Sequence, residues 1–286
     1  MKLSLGSLRR RGPDPATTAL QVLVMLIIGA SALFPLFWML ASSLKTAQEL
    51  QAAPPVWWSH HPTLSAFANV FRQLPFARMF LNSVVIAGGT TVGIVLTSIM
   101  AGYVFAKHRF RGRGLLFSLV LATMFLPPIV LLVPLYRLVQ SMGLVDSYLG
   151  VMLPNIANAF GIFLMRQFIA GVPDELIDAA RIDGASEWGI LWRIVTPLLR
   201  PAIAALVVFA FVFHWNSFLW PLTVLQSDHM FTVVLGLNRL VSYTSAVRFQ
   251  NVVMAGATIS ILPNIVLFLF LQRSFISGIA HTGTKG

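Results

Sequence analysis

Six stretches of this chain contain no aspartate, glutamate, lysine or arginine: residues 19–40, 79–106, 114–136, 147–165, 201–227 and 249–272. A helix crosses the hydrocarbon core of a bilayer with about 20 apolar residues. Lipid offers no partner to a backbone N–H or C=O, so each stretch must close its hydrogen bonds within itself, as a helix does. The expected fold class is therefore an all-α integral membrane protein with six transmembrane helices. The fourth stretch is the shortest, 19 residues that include Pro154, Asn155 and Asn158. Pro35, Pro127, Pro128, Pro134, Pro154, Pro221 and Pro263 predict kinks, because each removes a helix hydrogen bond. Gly89 and Gly93 have the spacing that lets two helices approach closely, whether inside the chain or with a partner.

Composition agrees: 57% of residues are hydrophobic and 10% charged, against about half and a quarter in soluble domains. The N-terminus has a basic start and an Ala30-Ser31-Ala32 sequence that fits a signal-peptide cleavage site. The apolar run continues to Leu40, however, which predicts an uncleaved first span. An even number of spans puts both termini on one side. Fourteen of the 20 basic residues then share that side: Lys2, Arg9, Arg10, Arg11, Lys107, Arg109, Arg111, Arg113, Arg166, Arg181, Arg193, Arg200, Arg273 and Lys285. Basic loops stay in the cytoplasm, so residues 1–18 and 273–286 are expected there, and the net charge of +11 calls for no nucleic-acid partner.

Catalytic signatures are missing. The sequence has no G-x-x-x-x-G-K-[ST] phosphate loop, no H-E-x-x-H and no G-x-S-x-G, and it has no cysteine for thiolate chemistry or metal binding. Its six histidines are scattered. No ionisable carboxylate, lysine or arginine lies within a span, which weakens proton-relay and ion-coupled mechanisms. No enzyme activity, metal or cofactor of its own is expected.

Against this background one segment stands out. Five of the nine acidic residues, Asp174, Glu175, Asp178, Asp183 and Glu187, fall in "PDELIDAARIDGASEWG" (173–189). Pro173 suits a first helical position and Asp174 and Glu175 a first turn. A short helix to about Arg181 is expected, then a turn at Asp183-Gly184, then a second helix capped by Ser186. Asp178 and Arg181 are spaced to pair, and Ala179 and Ala180 make a slim surface. Membrane-surface helices are usually basic on their polar face. The acidic loop therefore has two readings: a docking element for a positively charged protein, or an amphipathic segment on the bilayer.

The segment through "ILWRIVTPLLRP" resembles the EAA motif of binding-protein-dependent ABC importer permeases, with Asp178 where that family usually has Glu and Thr196 where it usually has Leu. "ASSLKTAQEL", "FLNSVVIA", "AGYVFAKHRFRGRG", "FLPPIVLLVPLY", "FHWNSFLWPLTV" and "SGIAHTGTKG" follow the family's order and resemble its carbohydrate-uptake branch, specifically the second permease subunit, as in the maltose system. The resemblance implies a heterodimer with a similar permease and two copies of a nucleotide-binding ATPase subunit carrying ATP and Mg. It also implies an extracytoplasmic solute-binding protein and a place in the bacterial or archaeal cytoplasmic (inner) membrane. The loop 171–200 would dock on the ATPase through Asp178, Ala179, Ala180, Asp183 and Gly184, with Glu175 and Arg181 at the rim. The tail residues Thr284, Lys285 and Gly286 would either reach between the ATPase subunits or fray.

Sugars are held by aromatic faces and by amide and hydroxyl groups. Candidates along the pathway are Asn155, Asn158, His214, Trp215, Asn216, Ser217, Trp220 and Asn264, each of which could instead bond between helices. Asn238, Arg239 and Tyr243, before the sixth span, resemble the region that meets the binding protein. Trp57 and Trp58 suit the membrane interface. The cargo alternatives are a saccharide or a glycerol phosphate or other polyol derivative. A stand-alone secondary carrier and a lipid-modifying enzyme would each need charged or nucleophilic groups inside the spans.

Overall fold

The computed structural model describes residues 15–243 and 249–282, and among them no strand occurs. Among the described residues three helices are long and apolar enough to cross a membrane unbroken: α1 (Pro15–Ser43), the fourth in the chain and the last. The short α2 (Ala47–Leu50) and α3 (Ser65–Gln73) follow α1, and α4 (Phe76–Lys107) is the central helix. The last, α15 (Gln250–Thr282), carries ten helical residues beyond the predicted end at 272.

The third and fourth apolar stretches are each carried by a bent pair, and the fifth begins at a third bend. In the third, α5 (Arg113–Ala122, continuing to Phe125) meets α6 (Pro128–Ser141) at 106°. Leu126 and Pro127 each precede a proline, and both are extended, with ψ of 121° and 128°. A proline ring excludes the residue before it from helical geometry. Two in succession turn a kink into a corner. In the fourth stretch α7 (Tyr148–Met152, continuing to Asn155) meets α8 (Ala159–Ala170) at 47°. After α8 come α9 (Asp174–Ile182), α10 (Glu187–Gly189), a π-helical segment Ile190–Val195 and α11 (Thr196–Leu198). The stretch from Glu187 to Leu198 meets α12 (Arg200–Trp215) at 81°, and α13 (Leu219–Val224) and α14 (Val233–Tyr243) complete the path to α15.

Helix α4 organises the interior. At its start, Phe76, Met79 and Ile86 pack with Val224, Phe231, Leu235 and Val252. Towards its end, Ile94, Ile99 and Tyr103 pack with Met165, Ile169, Ile177, Val195 and Leu206. The seam with α7 and α8 is tight. A Cβ on Gly89 would lie 3.0 Å from the Met152 sulfur and one on Gly93 2.5 Å from Ile156 Cγ2, so this glycine pair serves contact within the chain.

Asn82 ties three elements together and was not singled out by sequence. Its side chain is 1% exposed; Nδ2 donates to the carbonyls of His229 and Phe231, both at 2.9 Å, and Oδ1 accepts from Tyr148 Oη at 2.7 Å. Asn82→Ala leaves two carbonyls and a hydroxyl without partners, so the expected loss is about 2–3 kcal/mol. Thermal unfolding of the purified subunit in detergent checks this, with Tyr148→Phe as the milder companion.

Outside the bundle, Glu49 closes a capping box on α2 and also accepts from Ser59 Oγ and the His60 N–H, both at 2.8 Å. These bonds, led by the Thr46 backbone N–H, hold its carboxyl down to about 2. Trp57 and Trp58 pack back on Trp38 and Phe37 of α1, at 5.7 and 6.3 Å between rings.

Candidate functional site

The acidic segment folds as its capping residues dictate. Pro173 is extended and forms the N-cap of α9, one position earlier than expected. At the other end the Ala185 N–H bonds to the Ala180 carbonyl and the Gly184 N–H to that of Arg181, at 2.9 and 3.0 Å. This is the Schellman pattern, which needs a left-handed residue, and Gly184 supplies it with φ +82°. Ser186 then accepts from the Gly189 N–H at 3.2 Å and starts α10.

The loop has a buried inner side and an exposed outer side. Ala180 was expected on the outer surface; it is 8% exposed and packs with Ile177 in the cluster below α4. The reason is helical spacing: residues three apart share a face, and Ile177 already faces inward. Ala179, Glu175, Asp183 and Gly184 are exposed. So are three apolar side chains that sequence reasoning passed over, Leu176, Ile182 and Trp188. Ile182, 87% exposed, is unusual for an apolar residue with no lipid assignment.

The rim is internally bonded. Arg181 donates to Glu187 Oε1 at 2.9 Å and to Asp178 Oδ1 at 3.1 Å. The Arg181 bond holds the Glu187 carboxyl below its ordinary range, and Glu187 in turn raises the Arg181 guanidinium. Lys107 at the end of α4 reaches Asp174 and likewise keeps that carboxyl low. Tyr103 and Lys107 were also missed; their signal was the one-turn spacing at the end of "AGYVFAKH".

The pathway candidates divide. Asn155, His214, Asn216, Ser217 and Trp220 line an open cavity of about 550 Å³ together with Pro128, Leu132 and Leu135 of α6. Asn216 and Phe218, at the break between α12 and α13, also line a second cavity of about 470 Å³ with Asn238, Ser260 and Asn264. The Asn264 Oδ1 is buried there without a hydrogen-bond partner. Two residues do scaffold work instead. Trp215 is 2% exposed, donates to the Ser260 carbonyl at 3.0 Å and stacks on Phe211, because a large ring following a run of core residues is drawn into that core. Asn158 caps α8 by accepting from the Gly161 N–H at 2.8 Å.

Asn238 faces the second cavity, Arg239 pairs with Asp228 over the Phe231 ring, and Tyr243 ends α14. Thr284, Lys285 and Gly286 lie outside the described residues.

Among known proteins, residues 93–281 match the family described as "Binding-protein-dependent transport system inner membrane component". The chain is 38% identical over 268 residues to the arabinooligosaccharides transport system permease protein AraQ of Bacillus subtilis strain 168, covering 92% of this chain and 94% of that one. It is also 38% identical over 268 residues to the sn-glycerol-3-phosphate transport system permease protein UgpE of Yersinia pestis bv. Antiqua, covering 91% and 95%. Its fold resembles a chain of a bacterial ABC transporter that imports the acidic polysaccharide alginate, with a TM-score of 0.78 at 24% identity over 92% of this chain and 97% of that one. With an all-helical bundle among the described residues and these relatives along nearly its whole length, the chain belongs to the binding-protein-dependent inner membrane components, the permease subunits of ABC importers.

Proposed function

We propose that this subunit forms half of a pathway for an uncharged saccharide, with a homologous permease as the other half. The observation that carries this cargo is the lining of the 550 Å³ cavity: Asn155, His214, Asn216, Ser217 and Trp220 among apolar side chains, with no arginine or lysine. Such a lining matches sugar hydroxyls and C–H faces, whereas a phosphate entering it would have to leave water without a cationic partner. Glycerol 3-phosphate is the second reading, favoured by the likeness to UgpE. Six spans with both termini in the cytoplasm place the α9 loop on the cytoplasmic side. There one of two copies of a separate ATPase subunit, carrying ATP and Mg, docks on its exposed face around Ala179, Ile182, Asp183 and Gly184, and the second copy docks on the partner permease. A solute-binding protein delivers cargo from outside, against the segment around Asn238, Arg239 and Tyr243.

The test is reconstitution of this chain with the products of neighbouring genes and the cognate binding protein in proteoliposomes. ATP hydrolysis is expected to rise severalfold with a neutral oligosaccharide and not with glycerol 3-phosphate. Stimulation by the phosphate alone would overturn the cargo reading.

A further inference from the structure

The end of α4 holds α9 directly near its start and, through Glu187 of α10, near its end. At the near end, Lys107 Nζ donates to the Val172 carbonyl and to Asp174 Oδ1, both at 2.5 Å. At the far end, Tyr103, 3% exposed, donates through its hydroxyl to Glu187 Oε2 at 2.9 Å. The other oxygen of Glu187 accepts from Arg181 Nε at 2.9 Å, and Arg181 also holds Asp178 at 3.1 Å. His108 Nε2 stands 3.5 Å from Glu187 Oε2, the oxygen that accepts from Tyr103, with its ring edge-on to Tyr103. Between the two grips Ile177 and Ala180 are packed against the core of the bundle.

A nine-residue helix is about 13 Å long. Held at one end it can swivel; held near both ends it keeps its orientation. Ion pairs this exposed add little to folding stability: the carboxyl side chains of Asp174 and Glu187 are 76% and 46% accessible. What such pairs can do is fix a direction. We infer that Tyr103, Lys107, Arg181 and Glu187 are positioning residues that make α4 and α9 one rigid lever, through which displacement of the loop reaches the middle of the bundle. Two routes then leave the loop, the clamp to α4 and the covalent path through the π-helical segment to α12. The inference rests on the reading that α9 docks on the ATPase.

Its test uses the assembled transporter in proteoliposomes and reads ATP hydrolysed per substrate imported. Tyr103→Phe keeps the ring in place and Lys107→Met keeps most of the stem, so each variant folds and co-purifies with the ATPase at the normal ratio. The double variant is expected to raise the ATP-to-substrate ratio about tenfold, and Lys107→Arg to restore most of the loss in its single-site background. The chain has no cysteine, so Lys107→Cys and Asp174→Cys can be joined by a short bifunctional thiol reagent. Before joining, this pair should be uncoupled; after joining, coupling should return, because the two helices move together. A normal ratio in the Tyr103→Phe/Lys107→Met variant, or a joined pair that no longer transports, overturns the inference. A Gly184→Trp variant run alongside separates the two ideas. Normal transport there removes the docking reading itself, whereas failure there with a normal clamp variant removes only the lever.

Discussion

Gly184→Trp is expected to lower uptake by about 100-fold, the scale of a disrupted interface hot spot, while the subunit still reaches the membrane. Gly184 has φ +82°, a conformation that costs a residue with a Cβ roughly 1–2 kcal/mol. Nothing in the chain lies within 4 Å of a Cβ placed there. Gly184→Ala therefore meets only backbone strain, and a loss of less than about fivefold is expected from it. Tryptophan adds bulk to the exposed tip between Ile182 and Trp188, where the proposed docking partner would approach. Uptake of radiolabelled substrate, with membrane-fraction immunoblots as the control for insertion, checks both variants. Equal activity of the tryptophan variant and the parent would exclude this tip from the interface.

The second large effect concerns folding. Gly102→Val is expected to destabilise the subunit by about 3 kcal/mol, by overpacking the seam between α4 and α8. A Cβ on Gly102 would sit 2.8 Å from Met165 Cβ and 2.9 Å from the Arg166 backbone nitrogen. Backbone cannot yield as the end of a flexible side chain can, so the helices must separate. Met165, Ile169 and Tyr103, all buried beside this seam, lose contact as they do. Gly102→Ala already places the offending atom and should cost about half as much. Gly88, whose Cβ would meet nothing within 4 Å, is the control: Gly88→Ala should leave Tm unchanged or slightly raised. Thermal unfolding in detergent separates the three. A Tm for Gly102→Val equal to that of Gly88→Ala would show that the helices are not pressed together there.

Much of the acidic loop was legible because its signals are local. Gly184 ends a helix and Ser186 starts one through bonds to residues within five positions, and such bonds act wherever the segment sits. The side that Ala180 faces was not legible, since it depends on what α9 packs against. Tyr103 and Glu187 lie 84 positions apart, and no pattern in either neighbourhood announces the other. The pathway residues show the same limit. Asn155 and Asn216 share a cavity, whereas Trp215, next in sequence to Asn216, is core. A single residue step of about 100° around a helix moves a side chain from one environment to the other.

By itself the sequence determined that this protein is a helical membrane protein, because a bilayer accepts only long uncharged segments with their backbone bonds closed inside them. It also determined where the loop helices begin and end, because caps and turns are satisfied by near neighbours. Only the tertiary structure decided the 106° corner between α5 and α6, the sharing of Asn216 by two cavities and the grip of α4 on α9. The corner needs surrounding helices to settle how far two prolines bend, and the cavities and the clamp are made of residues that meet only once the helices are packed.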